Sequence, residues 1–199
     1  APFGDPGPRA TGARMTEPRF FGYGSLVNLA THAYGDPRPA RLPGWGRVWR
    51  HTAARPFAYL SSERVEGGEI DGVTAEVPGG DWAALDLRET NYVRRDVTQT
   101  VVHDAPPGSV AVYEVDATAS PDGTRHPILM SYLDVVIQGY VALFGTDGAD
   151  RFFATTRGWG GPIRDDRAAP LYSRAQAVGA AERGIVDDFI TREGLPVQT

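Results

Sequence analysis

Apolar and polar positions alternate in short stretches over the first half of the chain and take up helical spacing over the second. Arg19 to Gly22 is a compact apolar run that ends in Gly22-Tyr23-Gly24-Ser25. Trp45 to His51, Phe57 to Leu60 and Ile70 to Val77 read as further strands, with Val73, Ala75 and Val77 alternating as one buried face. Gly67-Gly68 is the expected turn between the last two. Asp81 is placed to cap a short helix that turns from Trp82 to Arg88. Tyr92 to Val102 reads as a long strand with Val93, Val97 and Val101 on one face, and Pro106-Pro107-Gly108 separates it from its partner, Val110 to Val115.

Pro127 and Gly145 frame an apolar helix over Ile128 to Phe144. It has nearly membrane length but carries Ser131, Asp134 and Gln138, so it reads as a buried core helix. A short helix is expected over Ala149 to Thr155. The last helix is expected from the capping-box pattern Ser173-Arg174-Ala175-Gln176 to Gly194, with Val178, Ala181, Ile185 and Phe189 as its apolar stripe. Strands first and helices later, without βαβ alternation, predict an α+β fold with an antiparallel sheet or a small barrel. Residues 1–18 are expected to be a disordered extension or tag, with Met15 a possible natural start. Residues 19–156 would be the barrel, and 157–199 a loop and helix packed on it.

Composition narrows the chemistry. The chain has 199 residues, no cysteine, 20 basic residues that are all arginine, and a formal charge of −5. The missing lysine excludes a Walker-type phosphate loop, a Schiff base and a Ser–Lys dyad. The missing cysteine excludes disulfides, thiol nucleophiles and zinc–thiolate sites. Mild acidity without a basic run argues against nucleic acid, and no membrane segment or signal peptide is found, so a cytoplasmic protein is expected. His32, His51, His103 and His126 are too scattered to form a metal pair, and no metal or cofactor is expected.

Two stretches carry candidate chemistry. Glycines flanking Tyr23 at a strand end fit either a tight turn or a backbone nest for an oxyanion, and spacing alone favours the turn. Leu85-Asp86-Leu87-Arg88-Glu89-Thr90-Asn91-Tyr92 runs from a helix end into a strand. Glu89 there fits either a solvated ion pair with Arg88 or Arg94, or a desolvated proton-transfer group, and spacing alone favours the pair.

Taken together, Tyr23-Gly24-Ser25-Leu26 and the Leu85 to Tyr92 stretch resemble the γ-glutamylcyclotransferase superfamily. Further agreement lies in Gly44-Trp45-Gly46-Arg47-Val48-Trp49, in Asp71 to Val77 and in Ser131-Tyr132-Leu133 through Gly139. The resemblance implies a small mixed, mainly antiparallel β-barrel with peripheral α-helices, a pocket between the Tyr-Gly-Ser loop and the glutamate, and release of 5-oxoproline from a small γ-glutamyl substrate. It makes Glu89 the general acid/base and Tyr23, Gly24, Ser25 and Leu26 the loop that grips the γ-glutamyl head; Tyr92 and Tyr132 would be pocket wall or core aromatics. It needs no cofactor and leaves monomer or homodimer undetermined. Leu26, where mammalian-type members have an asparagine before the leucine, and Asn28, where the glutathione-specific branch has an aromatic, leave the branch open. A non-catalytic small-molecule-binding relative is the alternative. An esterase or amidase lacks a visible nucleophile–base pair. Residues 158–167, with Trp159 and Arg164, are weighed as a substrate flap against a simple connector.

Overall fold

A computed structural model describes residues 16–116 and 123–199. Expectations for residues 1–15 therefore lie outside the described residues. Residues 16–18 already join the fold, since Val77 donates to the Pro18 carbonyl at 2.8 Å.

The chain runs through β1 (Arg19–Gly22), β2 (Gly35–Arg50), β3 (Tyr59–Glu76), α1 (Ala83–Arg88), β4 (Tyr92–Asp96), β5 (Val102–His103) and β6 (Val110–Val115). It continues with β7 (Ile128–Leu129), α2 (Met130–Ala154), β8 (Thr156–Arg157), β9 (Ile163–Arg164), α3 (Ala180–Arg192) and β10 (Val197–Gln198). The main sheet has the order β4-β6-β1-β3-β2-β5, with β8 beside β2. β1 with β6 and β2 with β8 are parallel, and the remaining pairs are antiparallel. β7, β9 and β10 form a small parallel sheet.

β1 takes a central position because all four of its residues are buried, as befits a strand covered on both faces. It separates β6 from β3, so the strand from Tyr92 pairs with Val110–Val115 as expected but not with the strand of Ile70–Val77. The strand path has two ends, β4 and β5, and no backbone ladder among the described residues closes it into the expected barrel. The curl is completed by side chains instead: Val115 donates to Ser61 Oγ at 2.9 Å, and Ser62 Oγ donates to the Tyr113 carbonyl at 3.0 Å. β4, at the edge, presents Arg94, Arg95 and Asp96 to solvent, which discourages pairing with another chain.

Several elements differ from the sequence reading. β2 starts ten residues before Trp45, through Pro37, Pro39 and Pro43. Proline is tolerated because β2's outer side is paired only over short stretches. Gly67-Gly68 is no turn. β3 runs through it, carrying three more residues than β2 between the pairs Trp45↔Arg64 and Pro43↔Glu69, a bulge that kinks the strand. The expected strand over Tyr92 to Val102 stops at Asp96, whose carboxylate accepts from the Thr98 amide at 2.8 Å and starts a turn.

The core helix begins at Met130, not after Pro127, because Ile128 and Leu129 pair with β9. Its cap comes from a distant residue: Asp166 accepts from the Ser131 amide at 2.8 Å and from Ser131 Oγ at 2.5 Å. At Gly145 the backbone leaves helical geometry (φ 68°, ψ −172°), a region closed to most L side chains, and the helix resumes to Ala154. α3 starts at Ala180, so the capping-box pattern at 173–176 caps nothing. The buried stripe is Val186, Phe189 and Ile190 rather than the expected set. Its end conforms to expectation, with Leu195 bonded to the Ile190 carbonyl and Gly194 to that of Thr191 in a Schellman arrangement. α3 packs on α2 through a stacked Phe153–Phe189 pair, centroids 3.9 Å apart. No described helix is long and apolar enough to cross a membrane.

Candidate active site

The glycine-flanked turn leaves β1 at Gly22 and forms one turn of 3₁₀ helix over Ser25–Val27. Three anchors hold it. The Tyr23 hydroxyl donates to the Tyr113 carbonyl at 2.6 Å and accepts from the Ser62 amide at 3.0 Å. The Tyr23 carbonyl accepts from Arg47 Nε at 3.2 Å and from the Tyr140 hydroxyl at 2.8 Å. Asn28, buried, donates to the Val135 carbonyl and to Gln138 Oε1, each at 2.8 Å, and so fixes the turn to α2.

Arg47 is fully buried and has no carboxylate partner among the described residues. It also donates to Thr155 Oγ1, to the Asp71 carbonyl and to Tyr140 Oη, and lies 5.0 Å and 4.9 Å from the Tyr140 and Phe152 ring centres. Burial pushes the Tyr140 hydroxyl up to about 12, keeping it neutral as a donor to the Tyr23 carbonyl. The sequence reading quoted Arg47 for its resemblance but gave it no role. It also treated Asn28 only as a departure.

Glu89 caps α1 with φ −94° and ψ 38°, and its amide donates to the Leu85 carbonyl at 2.9 Å. Asn91 follows in left-handed conformation (φ 76°), its side chain donating to Tyr59 Oη at 2.8 Å. The helix end and the bend together turn the Glu89 side chain inward. Burial raises its pKa above the ordinary carboxylate range, while Arg88, then Arg174 and Arg55, oppose the shift. Of the two arginines weighed as partners, Arg88 is the one that turns in: its Nε lies 3.3 Å from Glu89 Oε1, with side chains 8% and 17% exposed. Arg88 also donates to Thr31 and reaches Ser25 Oγ at 3.4 Å. Arg94 turns away to Asp86 at 3.0 Å and to the face of Trp82.

A cavity of about 340 Å3 opens between these elements. Ser25, Leu60, Glu89, Tyr92 and Tyr132 line it and also line a small annex of about 30 Å3, whose other walls include Tyr23, Gly24 and Leu26. All seven site residues named from the sequence thus line the annex. Gly24 permits a close approach, since a Cβ there would sit 2.5 Å from the Tyr132 hydroxyl. Burial holds that hydroxyl protonated. Tyr92 donates to the Leu60 carbonyl at 2.7 Å.

Glu89 is the one carboxylate lining the cavity among the described residues. No group of three or more His, Asp or Glu side chains among them is placed to hold a metal ion.

The outer wall is Leu171, Tyr172, Ser173 and Arg174, a stretch the sequence reading assigned to a loop end and a helix cap. Its approach is set by Arg167, which binds both oxygens of buried Asp134 at 2.7 Å and Asp187 at 2.7 Å. Neither Trp159 nor Arg164 lines the cavity. Trp159 packs one layer behind, 5.5 Å from Trp49, and 158–167 is a connector.

No protein-family model matches the chain, and no curated protein matches it in sequence. Solved structures do match in fold. One titled gamma-glutamyl cyclotransferase superimposes with a TM-score of 0.53 over 87% of this chain and 99% of that one, at 14% identity. YkqA from Bacillus subtilis gives 0.49 over 71% of this chain and 56% of that one, at 18% identity. A yeast gamma-glutamyl cyclotransferase specific to glutathione gives 0.37 over 70% and 89%, at 14% identity. The class is therefore one of fold: a mixed α+β protein with the architecture of gamma-glutamyl cyclotransferase structures.

Proposed function

We propose that the chain is a cyclotransferase that releases 5-oxoproline from a small γ-glutamyl amide, with Glu89 as general acid and base. The observation that carries this reading is Glu89, the one carboxylate lining the cavity among the described residues, desolvated beside an annex that the glycine-flanked turn also lines. The reaction needs a group that takes protons from one nitrogen and gives them to another close by. A carboxylate with a raised pKa does both better than a solvated one.

Glu89 as carboxylate takes a proton from the substrate α-ammonium. The freed amine attacks the γ-carbonyl carbon of the same molecule, and a C–N bond closes the five-membered ring. Negative charge develops on the carbonyl oxygen, next to the backbone of Gly24, Ser25 and Leu26. The old amide C–N bond then breaks as Glu89 protonates the departing nitrogen. The ring nitrogen, which still carries two hydrogens after closure, gives one up to Glu89, which passes it to the released amine. Overall two protons move from the α-ammonium to the leaving amine, and Glu89 returns to its starting state. Nucleophile and electrophile share one molecule, so the site's main task is to hold the curled conformer. Tyr92 and Tyr132 wall that conformer, and Tyr23 acts through its anchored backbone, its hydroxyl being engaged elsewhere.

The test is to incubate the protein with a panel of γ-glutamyl compounds and follow 5-oxoproline. Turnover that Glu89→Gln abolishes supports the proposal. Saturable binding of the same compounds without any turnover would make the chain a binding module instead.

A further inference from the structure

Three guanidiniums surround the cavity that Glu89 faces: Arg88, Arg55 and Arg174. Arg88 is engaged, with Glu89, Thr31 and Ser25 around it. Arg55 and Arg174 have no carboxylate partner among the described residues, whereas Arg38, Arg41, Arg50, Arg95 and Arg157 are each paired. Arg47, Arg64, Arg164 and Arg183 share that feature, but of all these unpaired arginines Arg55 and Arg174 alone line the cavity. Arg55 lies over the Tyr59 ring, 5.0 Å from its centre, a stacking that leaves its in-plane N–H donors free. Arg174 is half-buried in the outer wall. The two come from elements far apart in sequence and border only the outer cavity, not the annex.

Resting on the cyclotransferase reading, we infer that Arg55 and Arg174 form a carboxylate clamp for the leaving half of the substrate. They select γ-glutamyl amino acids or peptides over γ-glutamyl amines. In the curled substrate the α-carboxylate and the departing group flank the attacking nitrogen on opposite sides. With the nitrogen at Glu89 and the carbonyl at the annex, the departing group extends towards the outer wall. A guanidinium pair there attracts a carboxylate through charge-assisted hydrogen bonds and repels an ammonium. Both arginines also act on Glu89, so deleting them alters its proton affinity for every substrate alike. The ratio between two substrates cancels that shared effect.

The experiment compares γ-glutamylalanine with γ-glutamylethylamide, which is the same molecule without the leaving-side carboxylate. Wild type is expected to favour γ-glutamylalanine by about ten- to hundredfold in kcat/KM, chiefly through KM. In Arg55→Gln/Arg174→Gln the ratio should fall towards one, with each single variant between, and added salt should narrow the wild-type ratio. Thermal unfolding confirms that the variants are folded. A wild-type ratio near one, or a ratio the double variant retains, overturns the clamp. If neither compound is turned over, calorimetry on the same pair separates the two ideas. Tighter binding of γ-glutamylalanine that the double variant loses upholds the clamp and sinks the cyclotransferase. Equal or absent binding overturns the clamp as well.

Discussion

The two walls of the cavity hang on two arginines that work in opposite ways. The inner wall, the turn at Tyr23 to Leu26, is held by Arg47, whose partners are carbonyls, hydroxyls and ring faces. The outer wall, Leu171 to Arg174, is held by Arg167, whose partners are two aspartates. Arg47 is fully buried, so a donor lost there is not replaced by water. Arg167 joins a buried aspartate, Asp134, to an exposed one, Asp187. The inner wall is therefore tied to neutral groups. The outer wall is anchored through one buried and one exposed carboxylate.

The comparison breaks most visibly at Arg47. Arg47→Met keeps bulk but removes one donor each from the Tyr23 and Asp71 carbonyls, which are left to share the Tyr140 hydroxyl, and it should cost about 3–5 kcal/mol in denaturant unfolding. A cost below about 1 kcal/mol would show that the inner wall does not depend on this residue.

Glu89→Gln sharpens the contrast between stability and chemistry. It should lower the rate of 5-oxoproline formation at least ~100-fold, while Asp86→Asn and Glu76→Gln cost far less. The folded state binds the Glu89 proton more tightly than the unfolded chain does. Stability from this group is therefore full at low pH and lost as pH rises through its raised pKa. At neutral pH Glu89→Gln should unfold at or above the wild-type temperature, and a clear drop would contradict the desolvated carboxylate. The same shift places the acidic limb of kcat/KM in wild type above the ordinary carboxylate range.

Asp134→Asn should do less. It weakens one of the two aspartate contacts of Arg167 and should cost about 1–3 kcal/mol, with KM rising more than kcat falls. A fall in kcat with KM unchanged would mean that the outer wall serves chemistry rather than binding.

The inner wall was legible in the sequence and the outer wall was not. Glycines around Tyr23 and a glutamate at a helix end are signals carried by a few adjacent residues. The partners that fix them are remote: Arg47 meets Thr155 and Tyr140 across most of the chain. The prolines of β2 hid a strand, because their cost depends on whether a neighbour needs the missing donor. The Ser173 pattern mimicked a helix cap, although the helix there was displaced by a turn that lines the cavity. Sheet order was equally non-local, since nothing in the run Arg19 to Gly22 says which strands will flank it.

Asp166 ties two of these places to one group. Besides capping α2 at Ser131, it accepts from the Leu171 amide at 2.8 Å, where the outer wall begins. The first turn of the core helix and the entrance of the cavity thus share a single acceptor, and neither can release it without loosening the other. Amide hydrogen exchange should find Ser131 and Leu171 opening as one cooperative unit with a common free energy, and Asp166→Ala should speed both together. A ligand that closes on the outer wall would then slow exchange at the start of α2, a helix end it never touches.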